Sequence, residues 1–177
     1  MFITFRTVIC IVLVYFFQAS AIAAAGDSEK AQAQVLQMFN DYLAVYNARF
    51  GNSAADMAFK ENIVGYLHTP LVMFPPAGEP RVVTTQEQAA NNFAAFTSML
   101  EKRGVEKLQW HTLEVEILSP TKAIANNTGR GVDAKGKVVY ETVSVYLVFK
   151  GKDGWKIQTL SPYLVENTLH FDSVAPD

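Results

Sequence analysis

The stretch from Lys107 to Tyr163 constrains this chain more than any other, because apolar and polar residues alternate along it in four successive runs. In Gln109–Leu118, the side chains of His111, Leu113, Val115 and Ile117 share one face, while Thr112, Glu114 and Glu116 share the other. A period of two is the signature of a half-buried strand. Ser119-Pro120-Thr121 reads as a turn, Lys122–Arg130 as the second strand, and Asp133-Ala134-Lys135-Gly136 as another turn. Val138–Phe149 is rich in β-branched and aromatic residues. Lys152-Asp153-Gly154 then reverses the chain into Trp155, Ile157 and Thr159. A glycine at the end of such a loop supplies the positive φ that a bulged hairpin needs.

Register decides which side chains face a core. If every connection is a three-residue loop, parity is kept through all the hairpins and the odd-numbered residues face inward. That set contains Leu113, Val115, Ile117, Ala123, Ala125, Val143, Val145, Leu147, Phe149, Trp155 and Ile157, with His111, Asn127 and Glu141 as its polar members. A slip of one residue would instead turn Asn126, Thr128 and Tyr146 inward.

The rest of the chain supplies helices. Asp27–Phe50 places Val35, Met38, Phe39, Tyr42, Val45 and Tyr46 on one stripe, with Asp27 or Ser28 as cap and Gly51 as stop. Ser53–Val64 reads as a shorter helix closed by Gly65. Tyr66–Pro76 is extended, and its prolines assign it to an edge or rim. Arg81–Thr84 can add a short strand. Thr84–Arg103 is a helix with Thr84 and Glu87 as a capping pair and Ala89, Phe93, Phe96 and Leu100 as its buried stripe.

Residues 1–25 stand apart. Arg6, the apolar run Val8–Phe17 and the small residues Ala21–Ala25 form a secretory signal pattern. The expectation is an exported protein, periplasmic or secreted in a bacterium, with no membrane association after cleavage. Its domain covers residues 27–165 and a tail covers 166–177. Cys10 is the single cysteine of the 177 residues, so the mature chain offers neither a disulfide nor thiol chemistry. A formal net charge of −2 gives no electrostatic case for nucleic acid. The three histidines are not clustered, so no metal site is expected, and no phosphate loop or nucleophile elbow implies a cofactor.

Helices followed by a long antiparallel meander with one apolar face must pack on a curved sheet, an α+β architecture. That order resembles the NTF2-like superfamily, the cone fold of SnoaL-like cyclases and ketosteroid isomerases. The features that carry the resemblance are the aromatic stripe of Asp27–Phe50, the segment Tyr66-Leu67-His68-Thr69-Pro70, and Val138–Phe149 leading into Gly154-Trp155-Lys156-Ile157. The resemblance implies a pocket between helices and concave sheet, and a homodimer through the outer sheet face. In ketosteroid isomerases a first-helix tyrosine donates to an oxyanion and a carboxylate near the first strand moves the proton. Tyr42 stands where such a tyrosine would. Leu71–Pro75 has no Asp or Glu to match the base.

The candidate site residues are therefore Tyr42, Tyr46, His68, His111, Asn127 and Glu141. His68 could serve as a base or ligand contact, though a histidine bonded to a backbone carbonyl is the simpler account; His111 could meet it across the pocket mouth as a ligand contact, or simply end a hydrophobic row. Glu141, set among Val139, Val143 and Val145, either lines a wet cavity wall or reaches solvent at a strand end. Tyr42 and Tyr46, four apart, share a helix face and are core residues first. The leading expectation is a non-catalytic binder of a small apolar or amphipathic ligand. The alternatives are a SnoaL-like acid–base enzyme, with His68 or Glu141 as base and Tyr42 as donor, and a protein-interaction domain with a collapsed core.

Overall fold

A computed structural model of the protein describes residues 4–164, with side chains described from residue 26. The expected signal segment and the tail after residue 164 thus lie wholly or largely outside the described side chains. Helix α1 (Thr4–Arg49) is followed by α2 (Asp56–Ile63), framed by two short 3-10 turns. Strands β1 (Leu67–Met73) and β2 (Arg81–Val83) precede α3 (Gln86–Lys102). The meander follows as β3 (Lys107–Ser119), β4 (Lys122–Val132), β5 (Val138–Gly151) and β6 (Gly154–Tyr163). The six strands form one mixed, unclosed sheet in the order β2-β1-β6-β5-β4-β3, with the helices on its concave side. Among the described residues, no helix is long and apolar enough to cross a membrane.

Two local expectations are corrected. The cap of α3 is Thr85, whose hydroxyl accepts from the Gln88 amide, while the Gln88 side chain accepts from Thr84. The box is displaced by one residue from Thr84 and Glu87, because Gln88 is the third residue after the true cap. The proline-bearing segment is not an edge. β1 lies between β2 and β6, pairing antiparallel with the first and parallel with the second. Its ladder with β6 skips from Leu67 to Val72, so Pro70 falls where no backbone donor is required.

The largest correction concerns β5. Three-residue loops do not set the parity; bulges do. Leu113 pairs with Asn127 and Val115 with Ala125, so the odd face of mid-β3 and β4 is inward as expected. The register then shifts between Gly131, which pairs with Tyr140, and Val132, which pairs with Val138. Val139 is the residue in excess. A single extra residue exchanges the faces of a strand. Thr142, Ser144, Tyr146 and Val148 consequently face the helices, while Glu141, Val143, Val145, Leu147 and Phe149 face outward. The two-residue hairpin between Gly151 and Gly154 restores odd parity for Trp155 and Ile157, and a second shift past Ile157 brings Leu160 inward.

The core forms where the α1 stripe meets this face. Val35, Phe39, Tyr42 and Tyr46 are buried against Phe93 of α3 and Tyr146 of β5. Phe39 meets Tyr146 edge-on at 5.1 Å between ring centres, and Tyr46 meets Phe59 at 5.4 Å. α1 also covers the open edge of the sheet. The Asn47 amide donates to the Leu108 carbonyl at 3.0 Å and accepts from the Leu108 amide at 2.8 Å, and Gln32 donates to the Val115 carbonyl at 2.7 Å. These side chains satisfy backbone groups that β3, an edge strand, would otherwise expose.

Arg49 closes the helical layer. Its guanidinium is buried and bonds both Asp56, at the start of α2, and Glu101 on α3, the latter at 2.9 Å. One planar fork thereby joins three helices. Replacing it by alanine removes both pairs, while the half-exposed Asp56 stays solvated. We expect Arg49→Ala to lower stability by roughly 1–3 kcal/mol, read from urea unfolding followed by circular dichroism.

Candidate functional site

The helices do not fill the concave face completely. A cavity of about 370 Å³ remains between α1, α3 and the sheet, walled mainly by Tyr42, Tyr46, Phe93, Phe96, Trp110 and Tyr140. Its sheet floor carries Asn127, Gly129, Thr142, Ser144 and Tyr146. Gly129 is the reason for the hollow. A Cβ built there would reach the Trp110 ring and the Thr142 methyl at 3.6 Å, ordinary contact distance, so anything longer would occupy the floor. Gly131, two residues on, is small for a different reason. A Cβ would come within 2.7 Å of Val105, so this glycine lets the chain leaving α3 lie against the sheet.

Polar groups in the cavity are few, and most are neutral hydroxyls and amides. The Tyr42 and Tyr46 hydroxyls lie 3.2 Å apart and bond one another. Burial pushes both phenols well above their ordinary value of 10.0, and nearby tyrosines add to the rise at Tyr42. Tyr146 is also raised by burial, offset in part by the neighbouring Asn127 and Ser144. Asn127 is 1% exposed and its amide nitrogen has no hydrogen-bond partner of acceptable geometry. The buried indole nitrogen of Trp110 has none either. An unmet buried donor costs about 1–3 kcal/mol, and neither nitrogen has surface open to a water-sized group, although both residues line the hollow. Arg103, just past α3, sits at the rim with its guanidinium 5.5 Å above the Tyr140 ring. It has no carboxylate partner among the described residues.

Of the residues proposed from sequence, Tyr42, Tyr46 and Asn127 line this cavity. The other three do not, and the bulges explain two of them. His111 is the extra residue of β3, between Trp110, which pairs with Gly129, and Thr112, which pairs with Thr128. Bulged out, it is exposed. Glu141 follows the Val139 bulge to the outer face, where it pairs with Arg130 at 2.5 Å. His68 alternates with the buried Leu67 and lies near Gly151, away from the cavity, with its Nε2 buried and unpartnered. The three therefore do not converge on one point in the hollow.

Trp110, Tyr140, Ser144, Tyr146 and Arg103 are lining residues that a pattern of strict alternation passes over. A signal for Trp110 exists. Leu108 and Trp110 are apolar at even positions, then Leu113, Val115 and Ile117 at odd ones, and that change of phase marks the bulge. Among the described residues, no group of histidine, cysteine, aspartate and glutamate could hold a metal ion.

Helices laid on a bent mixed sheet around an apolar hollow define the NTF2-like class of proteins. Within that class, the profile of the family described as NTF2-like protein (DUF6841) matches residues 29–164, and the chain belongs to this family. Solved structures with the same fold include an NTF2-like protein of unknown function from Shewanella oneidensis, with a TM-score of 0.55 at 15% identity over 75% of this chain and 98% of that one. An NTF2-like protein with a cystatin-like fold from Novosphingobium aromaticivorans aligns with a TM-score of 0.57 at 12% identity, over 84% of this chain and 91% of that one. A candidate dehydratase of the NTF2-like family from Streptomyces avermitilis gives 0.54 at 14% identity, over 77% and 97%. Such identities establish the fold alone. No protein of curated function matches the chain.

The buried phenols make stability depend on pH in a stated direction. Folded tyrosines with raised pKa keep protons that the unfolded chain releases once pH passes 10.0. Their contribution is complete below that value and is lost as pH climbs toward the folded pKa. The urea midpoint of the protein should fall more steeply above about pH 10 than that of Tyr42→Phe or Tyr146→Phe. Equal slopes would show that these phenols ionise without hindrance.

Proposed function

We propose that this protein is an exported, non-catalytic binder of a small apolar or amphipathic molecule, held in the cavity between α1, α3 and the concave sheet face. One observation carries the reading. The hollow is large enough for a small organic ligand, its walls are aromatic and aliphatic, and its few polar groups are mostly neutral hydroxyls and amides, with Arg103 at the rim. Pockets built this way take up a ligand by burying its apolar body and orient it through one or two polar contacts. Export rests on Arg6, Val8–Phe17 and the small residues that follow.

Acid–base catalysis of the SnoaL-like kind is the weaker reading. It needs a group that accepts a proton near neutrality. The described lining holds no Asp, Glu, His, Lys or Cys, and tyrosines with raised pKa are poor bases. Under the third reading the core would have collapsed, and the open floor at Gly129 speaks against it.

Gly129→Val tests the assignment. Its methyl groups would fill the floor from a β-favouring residue, so the fold should persist by circular dichroism. Binding of the neutral apolar dye N-phenyl-naphthylamine, followed by its fluorescence, should weaken by roughly tenfold or more, about 1.4 kcal/mol. Undiminished dye binding by a folded Gly129→Val protein would place the ligand elsewhere.

A further inference from the structure

The hollow is neutral along its walls and charged at one point of its mouth. Among the described lining residues, Pro76, Asn92, Arg103 and Gln109 are exposed, so they mark where the hollow meets solvent. Arg103 is the single charged member of that lining. The other polar side chains there are hydroxyls, amides and the Trp110 indole, none of which carries charge near neutral pH.

The guanidinium has no counter-ion from the described protein. Arg103 caps the C-terminus of α3, and its guanidinium lies over the Tyr140 ring, 5.5 Å from the ring centre. Attraction to the ring face steadies a cation without neutralising it. Glu101, two residues earlier, is engaged by the Arg49 guanidinium at 2.9 Å and by the Gly51 amide at 3.2 Å. No described carboxylate lies within ion-pair distance of Arg103.

An apolar wall runs inward from that charge. Tyr140 meets Phe96 edge-on at 6.2 Å between ring centres, Phe96 meets Tyr46 at 6.3 Å, and Tyr46 meets Phe93 at 6.4 Å. On α3, Phe93, Phe96, Met99 and Arg103 line the hollow at helical spacing. The guanidinium thus ends an apolar row that covers about 15 Å of helix.

These features sort ligands by charge. A cationic head would meet Arg103 and no lining carboxylate. A neutral molecule gains the apolar contacts but leaves the guanidinium fork unused. An anionic head at the exposed mouth keeps water on one side and gains charge-assisted hydrogen bonds, while its apolar body is buried along α3. The same anion drawn deeper would lose hydration with no opposite charge beside it. One carboxylate matches one guanidinium in both charge and bidentate geometry.

Resting on the binder reading above, we propose that the ligand is an anionic amphiphile, a monocarboxylate with an apolar body. Arg103 holds its head at the mouth, and the body lies along Met99, Phe96 and Phe93.

The test uses three ten-carbon probes that differ only at the head: decanoate, decanamide and decylammonium. Affinity is read at neutral pH by calorimetry and by displacement of N-phenyl-naphthylamine. Decanoate should bind wild-type protein roughly fivefold tighter than decanamide, in keeping with a partly exposed charged pair, and decylammonium should bind weakest. The advantage of the acid should shrink as ionic strength rises, whereas the affinity of the amide should not. Arg103→Gln, at an exposed position, should bring acid and amide to equal affinity. Lys102→Gln removes an exposed charge one residue away and outside the described lining, so it should keep the wild-type ratio. If Arg103→Gln fails to fold, the wild-type ratio and its salt dependence decide the matter. Equal affinities of acid and amide for the wild type, a preference that survives Arg103→Gln, or an equal loss in Lys102→Gln would overturn the proposal while dye binding kept the binder reading intact. Failure of the dye itself to bind would overturn the binder reading, and this proposal with it.

Discussion

One residue in excess governs this fold. Val139 has no partner in the ladder between β4 and β5, and its presence turns the even side of β5 toward the helices. Had the strand run without it, Val143, Val145, Leu147 and Phe149 would have met Phe39 and Tyr42 with four branched or bulky apolar chains. The face that does turn inward carries Tyr140, Thr142, Ser144, Tyr146 and Val148. Its small polar residues stand opposite Asn127 and Gly129, the narrowest and most hydrophilic rows of β4. A hollow with a polar floor follows directly, because short side chains face short side chains beneath the aromatic stripe of α1.

The same event relocates charge. On the outer face, Glu141 meets Arg130 on the adjacent strand, a cross-strand pair of opposite sign in partial contact with water. Turned inward, that carboxylate would have lost hydration with only Asn127 and phenols near it, at a cost of several kcal/mol. The bulge thus removes an acid from the cavity, which leaves mostly neutral hydroxyls and amides as the polar part of its wall. Arg49 performs a comparable service in the helical layer, where a buried guanidinium is tolerable because two carboxylates from different helices reach it. With those anchors in place, α1 can hold its tyrosines over the sheet while its far side meets solvent.

Much of this was legible in the chain. The four strands of the meander, the turn at Gly154 and the stripes of α1 and α3 all follow from the spacing of apolar residues, because burial of one face imposes a period. Tyr42, Tyr46 and Asn127 could be placed at the cavity for the same reason. His68, His111 and Glu141 could not be placed correctly. The last two depended on a count of residues between pairing positions, and β5 mixes apolar and polar residues on both faces, so its pattern does not say which one turns inward. The prolines of β1 misled in a related way. They exclude a regular ladder, yet an interrupted one with β6 accommodates Pro70 inside the sheet.

The sequence by itself determined the class of architecture, the elements and the helix faces, since these rest on local periodicity and on residues such as Gly154 whose backbone freedom is intrinsic. Only the tertiary structure decided the sign of each strand's parity, the isolation of Glu141 from the cavity, and the meeting of Arg103, Trp110 and Asn127 around one space. The physical reason is that a bulge changes nothing in the local preference of the residues that form it. Its effect is expressed through hydrogen bonds to a partner strand, which a one-dimensional pattern does not contain.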